Sequence, residues 1–230
     1  MKRILLFFCF VISFLSALFS QEHIDYGMFM NSAQDNSVLF RGVLPVNREK
    51  RSNDRTTYFA YYFDFVKGEI VYCGKKYKDV FLNLNALTDE LYIKDSEFGI
   101  QQIVNKNFVD SFAMEKHRFV RLDPEKNSTL NSGYYEVLYT GKLWLYKKMQ
   151  KQFYEIVYSR TNIKSGYTLL ETFYLRKENT WYLVSSKADI RKLFPEHKKE
   201  INRYIRNQYL NFGDNKGLAL IEIMNYIDSL

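Results

Sequence analysis

Residues 133–149 read GYYEVLYTGKLWLYKKM, and this stretch has the pattern of a β-hairpin. Apolar and aromatic side chains dominate both halves, and Thr140-Gly141 between them is a turn signal. Trp144 and Tyr146 lie two positions apart, so an extended return strand places them on one face. The hairpin therefore predicts a sheet in which neighbouring strands run antiparallel.

The chain before this hairpin shows the same alternation. Residues 58–66 have aromatic side chains at every second position, which predicts a strand with one aromatic face. Turns containing glycine are predicted at residues 67–68 and at residues 74–76. Residues 107–115 fit either a strand or a single helical turn. Further strands are expected at residues 37–46, 69–73, 77–84, 90–94, 99–104 and 117–122.

The chain after the hairpin continues with strand-like segments up to residue 185. Residues 164–166 predict one turn, and Asn179-Thr180 predicts another. Upstream, residues 47–57 are rich in charge and lack any large apolar side chain, so they are predicted to form a mobile loop. The strands expected in this part of the chain are residues 153–159, 168–177 and 181–185.

Helical periodicity begins at Ser186. Ser186 and Asp189 have the spacing of a capping box, in which each side chain bonds the backbone of the other residue. Pro195 fits the first turn of a second helix with one apolar stripe and one basic side, and residues 217–230 form a last helix. The stripe is Ile201, Tyr204, Ile205 and Tyr209; the basic side is Lys198, Lys199, Arg203 and Arg206; the last apolar face is Leu220, Ile223, Met224 and Ile227.

Many strands followed by helices at the end of the chain define an α+β fold rather than an alternating α/β fold. We predict an antiparallel β-meander, barrel-like or sandwich-like, followed by two or three C-terminal helices. Residues 21–185 are expected to form the β-rich domain. Residues 186–230 are expected to form a helical segment that packs on the sheet.

The first twenty residues have the layout of a secretory signal peptide. Lys2 and Arg3 form a positively charged start. Residues 4–19 are a mostly apolar run, and the small residue Ser20 follows it. A membrane anchor is the alternative, but a spanning helix usually needs about 20 apolar residues. We therefore predict that residues 1–20 are cleaved and that the protein is exported to the periplasm or cell exterior, with no transmembrane helix remaining.

Cleavage leaves the exported chain with one cysteine, Cys73, because Cys9 lies in the leader. An intrachain disulfide is then impossible, and stability has to come from a hydrophobic core. The composition supplies one, since aromatic residues make up 17% of the chain. The full sequence has a net charge of +7, and a mild basic excess remains after cleavage. Such an excess favours anionic partners only weakly.

Cys73 lies in the stretch VYCGKKYKD, beside Lys75 and Lys76. A reactive thiolate requires a lowered pKa and usually a neighbouring base. The two lysines belong to a turn, where solvent screens their charge, and the sequence pairs no histidine with Cys73. We interpret Cys73 as a buried, small apolar residue at the end of a strand.

Acidic residues are numerous enough to supply a carboxylate pair for a hydrolase, but the sequence brings no two of them together. Glu136, Glu155 and Glu171 are expected on the solvent faces of strands. The candidates are Asp64, Glu69, Asp89, Glu90, Glu136, Glu155 and Glu171.

Metal and cofactor motifs are not recognisable in the chain. The three histidines (His23, His117 and His197) are far apart, and His117 lies between basic neighbours. The sequence contains no GxGxxG, GxxxxGK[ST] or GxSxG motif. Lysines beside aromatic residues, as in LWLYKKMQK, are interpreted as protecting sheet edges rather than binding nucleic acid. We predict no catalytic, cofactor-binding or metal-binding residue.

Four features of the chain occur together in a recognisable pattern. They are a Gly-x-x-Tyr turn, a strand that ends in Asn, an Asp-x-Leu-x-Ile-Lys strand within residues 72–95, and the hairpin at residues 133–141. With residues 107–112, 117–122 and 175–208, this pattern resembles a group of uncharacterised exported proteins of Bacteroidota. The resemblance implies export in a Gram-negative cell and carries over no catalytic residue.

The leading functional hypothesis is a non-enzymatic periplasmic or surface binding module. A sheet rich in aromatic residues can bind a peptide by edge addition, or a glycan or lipid on an aromatic face. The expected partner is an envelope protein, glycan or lipid. One alternative is a hydrolase that uses a carboxylate pair or the Cys73 thiol. The other is a membrane-surface interaction protein that uses the basic side of the second helix.

Overall fold

A computed structural model of the chain describes residues 36–46, 50, 52–96, 98–123, 130–213 and 215–230. The predicted signal peptide, residues 1–20, lies outside the described residues. Across the described ranges the chain forms one antiparallel sheet and, after it, α-helices. The predicted α+β class, with a β-meander followed by C-terminal helices, is confirmed.

The described residues form ten strands, three α-helices and two short 3-10 helices, at Asn36–Arg41 and Lys106–Phe108. The strands are β1 (Val66–Tyr72), β2 (Lys75–Asn85), β3 (Glu90–Lys94), β4 (Gln101–Ile103), β5 (Val109–Met114), β6 (His117–Leu122), β7 (Gly133–Thr140), β8 (Trp144–Ser159), β9 (Asn162–Lys177) and β10 (Thr180–Leu183). The α-helices are α1 (Lys187–Leu193), α2 (Lys198–Asn207) and α3 (Lys216–Asp228).

The sheet has the spatial order β10-β9-β8-β7-β6-β5-β1-β2-β3-β4. It therefore consists of two meanders that meet at β1, because β5 returns to the free side of β1 after β4. Gly68 lies inside β1, where an added Cβ would be 2.1 Å from the Ala113 oxygen of β5. The predicted turn at residues 67–68 is thus wrong, since Gly68 instead permits the close approach of β1 and β5.

The aromatic segment at residues 58–66 is only partly strand-like, so the predicted strand is wrong for residues 61–65. Ala60 donates its backbone N–H to the Leu84 oxygen (2.9 Å). The chain then leaves the ladder until β1 begins. The Asn83 side chain takes the place of the missing backbone bonds, because its Nδ2 donates to the Tyr62 oxygen at 3.1 Å and the Asp64 oxygen at 2.8 Å.

The predicted strand at residues 37–46 is also wrong. Asn36–Arg41 form a 3-10 helix, and Leu39 is buried in the core. Only Val43 pairs with the sheet, through a two-way backbone bridge to Ile103 of the edge strand β4. A segment that inserts one apolar side chain into a core can have the same apolar composition as a strand. The sequence pattern alone therefore does not distinguish the two.

Strands β8 and β9 form one long hairpin. Residues 153–159 continue β8 without interruption, and the turn lies at residues 160–161. The turn predicted at residues 164–166 is wrong, because Gly166 lies within β9. An added Cβ on Gly166 would be 2.2 Å from the Asp54 carboxylate oxygens, so this glycine makes room for Asp54.

The helical segment agrees with the sequence at its start and at its end. The capping box of Ser186 and Asp189 is present at α1. Pro195 precedes the N-cap residue His197, so its predicted place in the first turn of α2 is wrong. Tyr209 is 91% exposed and does not extend the apolar stripe of α2. The predicted apolar face of α3 is confirmed, since Leu220, Ile223, Met224 and Ile227 are buried.

Two hydrophobic cores lie along one face of the sheet. The first core joins β1–β3, β5 and β6 and includes Leu39, Tyr134 and Met149. The second core joins the helices to β7–β9 through Leu145, Phe173 and Leu175. Leu145, Lys147 and Met149 alternate along β8 and therefore share a face, so a lysine lies between the two cores. No helix among the described residues is long and apolar enough to span a membrane.

Candidate functional site

A polar cluster centred on the buried Glu136–Lys147 pair occupies the strip between the two cores. We call it the Lys147 cluster, and it comprises Tyr61, His117, Glu136, Lys147 and Glu171. Glu136 of β7 pairs directly with Lys147 of β8, and both side chains are buried. Lys147 Nζ lies 2.8 Å from Glu136 Oε2, and His117 Nδ1 lies 2.6 Å from Glu136 Oε1. The prediction that Glu136 lies on a solvent face is therefore wrong.

The Lys147 ammonium has three acceptors within reach. It donates to Glu136, to the Tyr61 hydroxyl at 2.5 Å and to Glu171 Oε1 at 3.1 Å. Tyr61 in turn donates its hydroxyl proton to Glu136 and stacks on the His117 ring at 3.6 Å. The cluster is thus a connected network in which buried charges are paired, which buried ionic groups require.

The pKa values of this cluster reflect its pairing. Burial alone would raise the pKa of the Glu136 carboxyl, but Lys147, Tyr61 and His117 together hold it below its ordinary value. Burial and the adjacent Glu136 carboxylate raise the pKa of the Tyr61 hydroxyl far above its ordinary value. Glu136 is therefore ionised and Tyr61 is a neutral donor at pH 7.

Chemically, the Lys147 cluster fits a structural role better than catalysis. Glu136 and Glu171 are the two candidate carboxylates that it brings together, and Lys147 satisfies both of them. A general base needs access to a substrate proton, whereas both Glu136 oxygens already accept hydrogen bonds. The remaining candidates lie elsewhere: Asp64 near Lys94, Glu69 on Lys76, Asp89 in a second cluster, Glu90 accepting from Thr88, and Glu155 exposed.

Asp89 forms the second polar cluster, at the start of β7. Its carboxylate lies 2.6 Å from Lys148 Nζ and 2.5 Å from Lys106 Nζ. Lys148 also donates to the Tyr134 oxygen at 3.0 Å. Gly133 makes this possible, since a Cβ there would be 2.2 Å from an Asp89 oxygen and 2.5 Å from Lys148 Nζ. Burial lowers the pKa of Lys148, and the Asp89 carboxylate opposes that shift.

Cys73 is exposed, so the prediction that it is buried is wrong. It occupies the turn between β1 and β2 with a φ of 51°, next to Gly74 with a φ of 74°. Its backbone N–H donates to the Phe108 oxygen at 2.8 Å. Within the described ranges no three His, Cys, Asp or Glu side chains are grouped as a metal site would require.

The outer edge of β9 carries the best candidate for a binding site. Along its inner edge β9 pairs with β8 from Asn162 to Arg176. Along its outer edge, β10 pairs with residues 174–177, and Val184 donates its N–H to the Phe173 oxygen at 2.9 Å. Further along, residues 52–56 cover Ser165 and Tyr167, through Asn53 N–H to the Ser165 oxygen and Tyr167 N–H to Thr56 Oγ1.

Residues 168–172 of β9 lie between these two covered stretches, and we call them the edge gap. Alternate residues of a strand direct their backbone N–H and C=O to the same side. The backbone groups of Ser165, Tyr167 and Phe173 point away from β8. Those of Leu169 and Glu171 therefore point the same way. Over the part of the chain that the structure describes, no backbone group pairs with the outer side of Leu169 or Glu171. The Leu169 and Leu170 side chains are exposed.

The segment at residues 52–56 holds one end of the edge gap rigidly. Asp54 accepts hydrogen bonds from Ser52 Oγ and Thr56 Oγ1, each at 2.6 Å, and from the Tyr154 hydroxyl. The hydrogen bonds from Ser52, Thr56 and Tyr154 lower the pKa of Asp54 well below its ordinary range. In its described residues, the loop predicted at 47–57 is therefore anchored to the β8–β9 hairpin rather than loose.

The opposite face of β7–β10 carries an aromatic cluster. We call it the aromatic face, and it consists of Tyr135, Trp144, Tyr146, Tyr174 and Trp181. It contains both tryptophans of the chain. Trp144 is exposed and stacks on Tyr146, which contacts Trp181 at a centroid distance of 5.2 Å. The prediction that Trp144 and Tyr146 share a face is confirmed.

Known proteins give no guide to the function. We find no match to this chain among protein-family models, curated proteins or solved structures.

Proposed function

We propose that the protein is an exported, non-enzymatic binding protein of the periplasm or cell surface that holds an extended peptide segment of an envelope protein in the edge gap. The observation that carries this proposal is the outward backbone of Leu169 and Glu171, which lies between two stretches of the same edge that the chain itself covers. Exposed sheet edges are usually protected. An unpaired stretch between two protected stretches of the same edge therefore suits the binding of another strand.

An extended peptide suits the edge gap in length and in hydrogen bonding. Five residues of a strand extend over roughly 16 Å, so the gap accommodates a peptide of about five residues. Two outward residues offer two N–H donors and two C=O acceptors, as in other cases of peptide addition to a sheet edge. Leu169 and Leu170 lie on opposite faces and provide apolar contacts on both sides of the peptide.

The polar clusters support a binding role over the hydrolase alternative. Lys147 lies between Glu136 and Glu171 and neutralises both carboxylates. The Cys73 thiol lies in an exposed turn, and the backbone N–H of this residue donates to the Phe108 oxygen. Neither group combines a free base with a nucleophile, which covalent hydrolysis requires.

The proposal is tested by proline substitution. A photo-reactive amino acid is first placed at position 170 of the protein, expressed in its own host, so that light cross-links and identifies the bound peptide. The affinity of a synthetic copy of that peptide is then measured by fluorescence anisotropy. Leu169→Pro removes the outward N–H and leaves the pairing with β8 intact. We expect the affinity for the peptide to fall about tenfold, because a hydrogen bond and a close contact are lost. Leu169→Thr keeps the N–H and should change the affinity less than threefold. Equal affinity of the wild type and Leu169→Pro contradicts the proposal.

A carbohydrate ligand on the aromatic face is the second candidate. Trp144 offers an exposed ring, and the Arg176 guanidinium lies 5.7 Å from the Trp181 ring centre and donates to Asn179 Oδ1. A flat aromatic ring beside hydrogen-bonding groups matches a sugar, which has an apolar C–H face and a polar rim. Because both tryptophans lie here, their fluorescence should change saturably with cellotetraose or chitotetraose, and Trp144→Leu should abolish the change. An unchanged emission with both sugars rejects this candidate.

A further inference from the structure

The end of the β8–β9 hairpin carries a group of exposed apolar side chains outside the site above. We call residues 155–164 the hairpin tip. Its strands pair with each other from Val157–Ile163 to Ser159–Asn162, and at the base of the tip Asn53 Nδ2 donates to the Ile163 oxygen at 2.6 Å. Val157 is 62% exposed and Tyr158 is 64% exposed, and Ile156 and Ile163 are exposed as well. Apolar side chains stabilise a fold when they are buried, so the exposed ones at this turn do not contribute to stability in this way.

The apolar side chains lie on both faces of the hairpin tip. Val157 pairs with Ile163, so these two share one face. Ile156 lies on the other face because neighbours along a strand alternate, and the exposed Tyr158 lies at a register shift between Val157 and Ser159. A groove on a partner protein covers one face and one edge of a hairpin, whereas a fluid apolar medium surrounds both faces. The two-sided exposure therefore favours a lipid surface as the occupant.

The charges of the hairpin tip match the surface of an anionic bilayer. Arg160 lies in the turn and Lys164 follows in β9, and both are exposed. Glu155 is the one acidic residue of the tip, so the tip is net basic. Basic residues near a membrane gain from anionic headgroups, and a tyrosine such as Tyr158 is suited to the boundary between headgroups and acyl chains.

We propose that the hairpin tip inserts shallowly into the surface of an anionic lipid bilayer. The apolar side chains of both faces enter the boundary between headgroups and acyl chains, while Arg160 and Lys164 contact the headgroup phosphates. The depth is limited to this boundary because the outer backbone groups of the two strands need water or headgroups as hydrogen-bonding partners. This binding is independent of the peptide proposed for the edge gap.

The test is flotation of the full protein with vesicles. Vesicles of phosphatidylcholine with 30% phosphatidylglycerol should bind the wild type, and the double variant Val157→Ser/Tyr158→Ser should bind at least tenfold more weakly. Leu218→Ser is the matched control, because Leu218 of α3 is 64% exposed and lies outside the tip. It should bind as the wild type does. Val157→Leu keeps the apolar character and should also keep the binding.

Two results overturn the proposal. The first is binding that salt abolishes and that the double variant leaves unchanged, because the attraction then comes from charge elsewhere on the surface. The second is an absence of vesicle binding together with a concentration-dependent dimer that the double variant converts to monomer. In that case the hairpin tip forms an interface with a second copy of the chain. Circular dichroism confirms that each variant keeps its fold.

Discussion

At the scale of single residues, Lys147 is the side chain whose replacement should matter most. Its ammonium satisfies Glu136, Tyr61 and Glu171 in a strip enclosed by two hydrophobic cores. Lys147→Met keeps the volume but leaves the Glu136 carboxylate buried without its cation. We expect a loss of about 3 kcal/mol in the free energy of unfolding, measured in urea. Lys164→Met, on an exposed lysine of β9, should change it by less than about 0.5 kcal/mol.

Glu136 should also make stability depend on pH. Its pKa is lower in the folded chain than its ordinary value of 4.5. The stabilisation is therefore complete above the ordinary value and is lost as the pH falls through the folded value. Urea midpoints of the wild type should decline below about pH 5, and Glu136→Gln should reduce that decline. An identical decline in the two proteins would show that Glu136 is not the linked group. Asp54 and Asp189, whose pKa values are also lowered, should contribute to the decline that remains.

The pairing of Glu136 with Lys147 could not be predicted from the sequence. Counting outward from the observed Thr140–Trp144 pair would place Glu136 opposite Lys148. A bulge between Val137 and Tyr139 shifts the register by one, so that Glu136 meets Lys147 instead. One residue of shift moves a side chain to the other face of a sheet. The signal that remained was the adjacent pair Lys147 and Lys148 within the apolar stretch 143–149, and its physical meaning depends on a bulge that the sequence does not reveal.

At the scale of elements, the contact of residues 52–56 with the β8–β9 hairpin should depend on Gly166. Gly166→Ala places a Cβ against Asp54, which three side chains hold in position. We expect a loss of about 1–3 kcal/mol in the free energy of unfolding, with faster amide exchange at residues 163–167. Asp54→Ala removes the obstacle. The double variant should therefore lose less than the sum of the two single variants, and strict additivity would contradict the proposed clash.

Strands were predictable wherever alternation and tight turns coincided. The strands at residues 90–94 and 117–122 appear where expected, because one buried face imposes the two-residue period. The strand expected at 99–104 is shorter, at Gln101–Ile103, and the turn of the hairpin after Gly133 lies at residues 141–143 rather than at Thr140-Gly141. The segments at 37–46 and 61–65 were not predictable from the same pattern. Their apolar residues contact the core without a continuous backbone partner, and local sequence does not state whether a partner strand is within reach.

At the scale of the whole molecule, the two cores share strand β8 and should unfold together. Met114 is buried in the first core, whereas Trp144 lies on β8 near the second. Met114→Ala should lower the stability by about 2–5 kcal/mol. The urea midpoint monitored by tryptophan fluorescence should fall by the same amount as that monitored by circular dichroism. A fluorescence midpoint that stays in place would show that the two cores unfold separately.

The interior position of β1 has a consequence for synthesis on the ribosome. Each strand from β2 to β10 pairs with a strand that precedes it in the chain, and β5 pairs with β1. The emerging polypeptide therefore extends its sheet outward from a centre, first in one direction and then in the other. Every strand from β2 onward therefore emerges when a strand that it pairs with has already been translated, whereas the second edge of β1 stays open until β5 is made and is the edge most exposed to aggregation during synthesis.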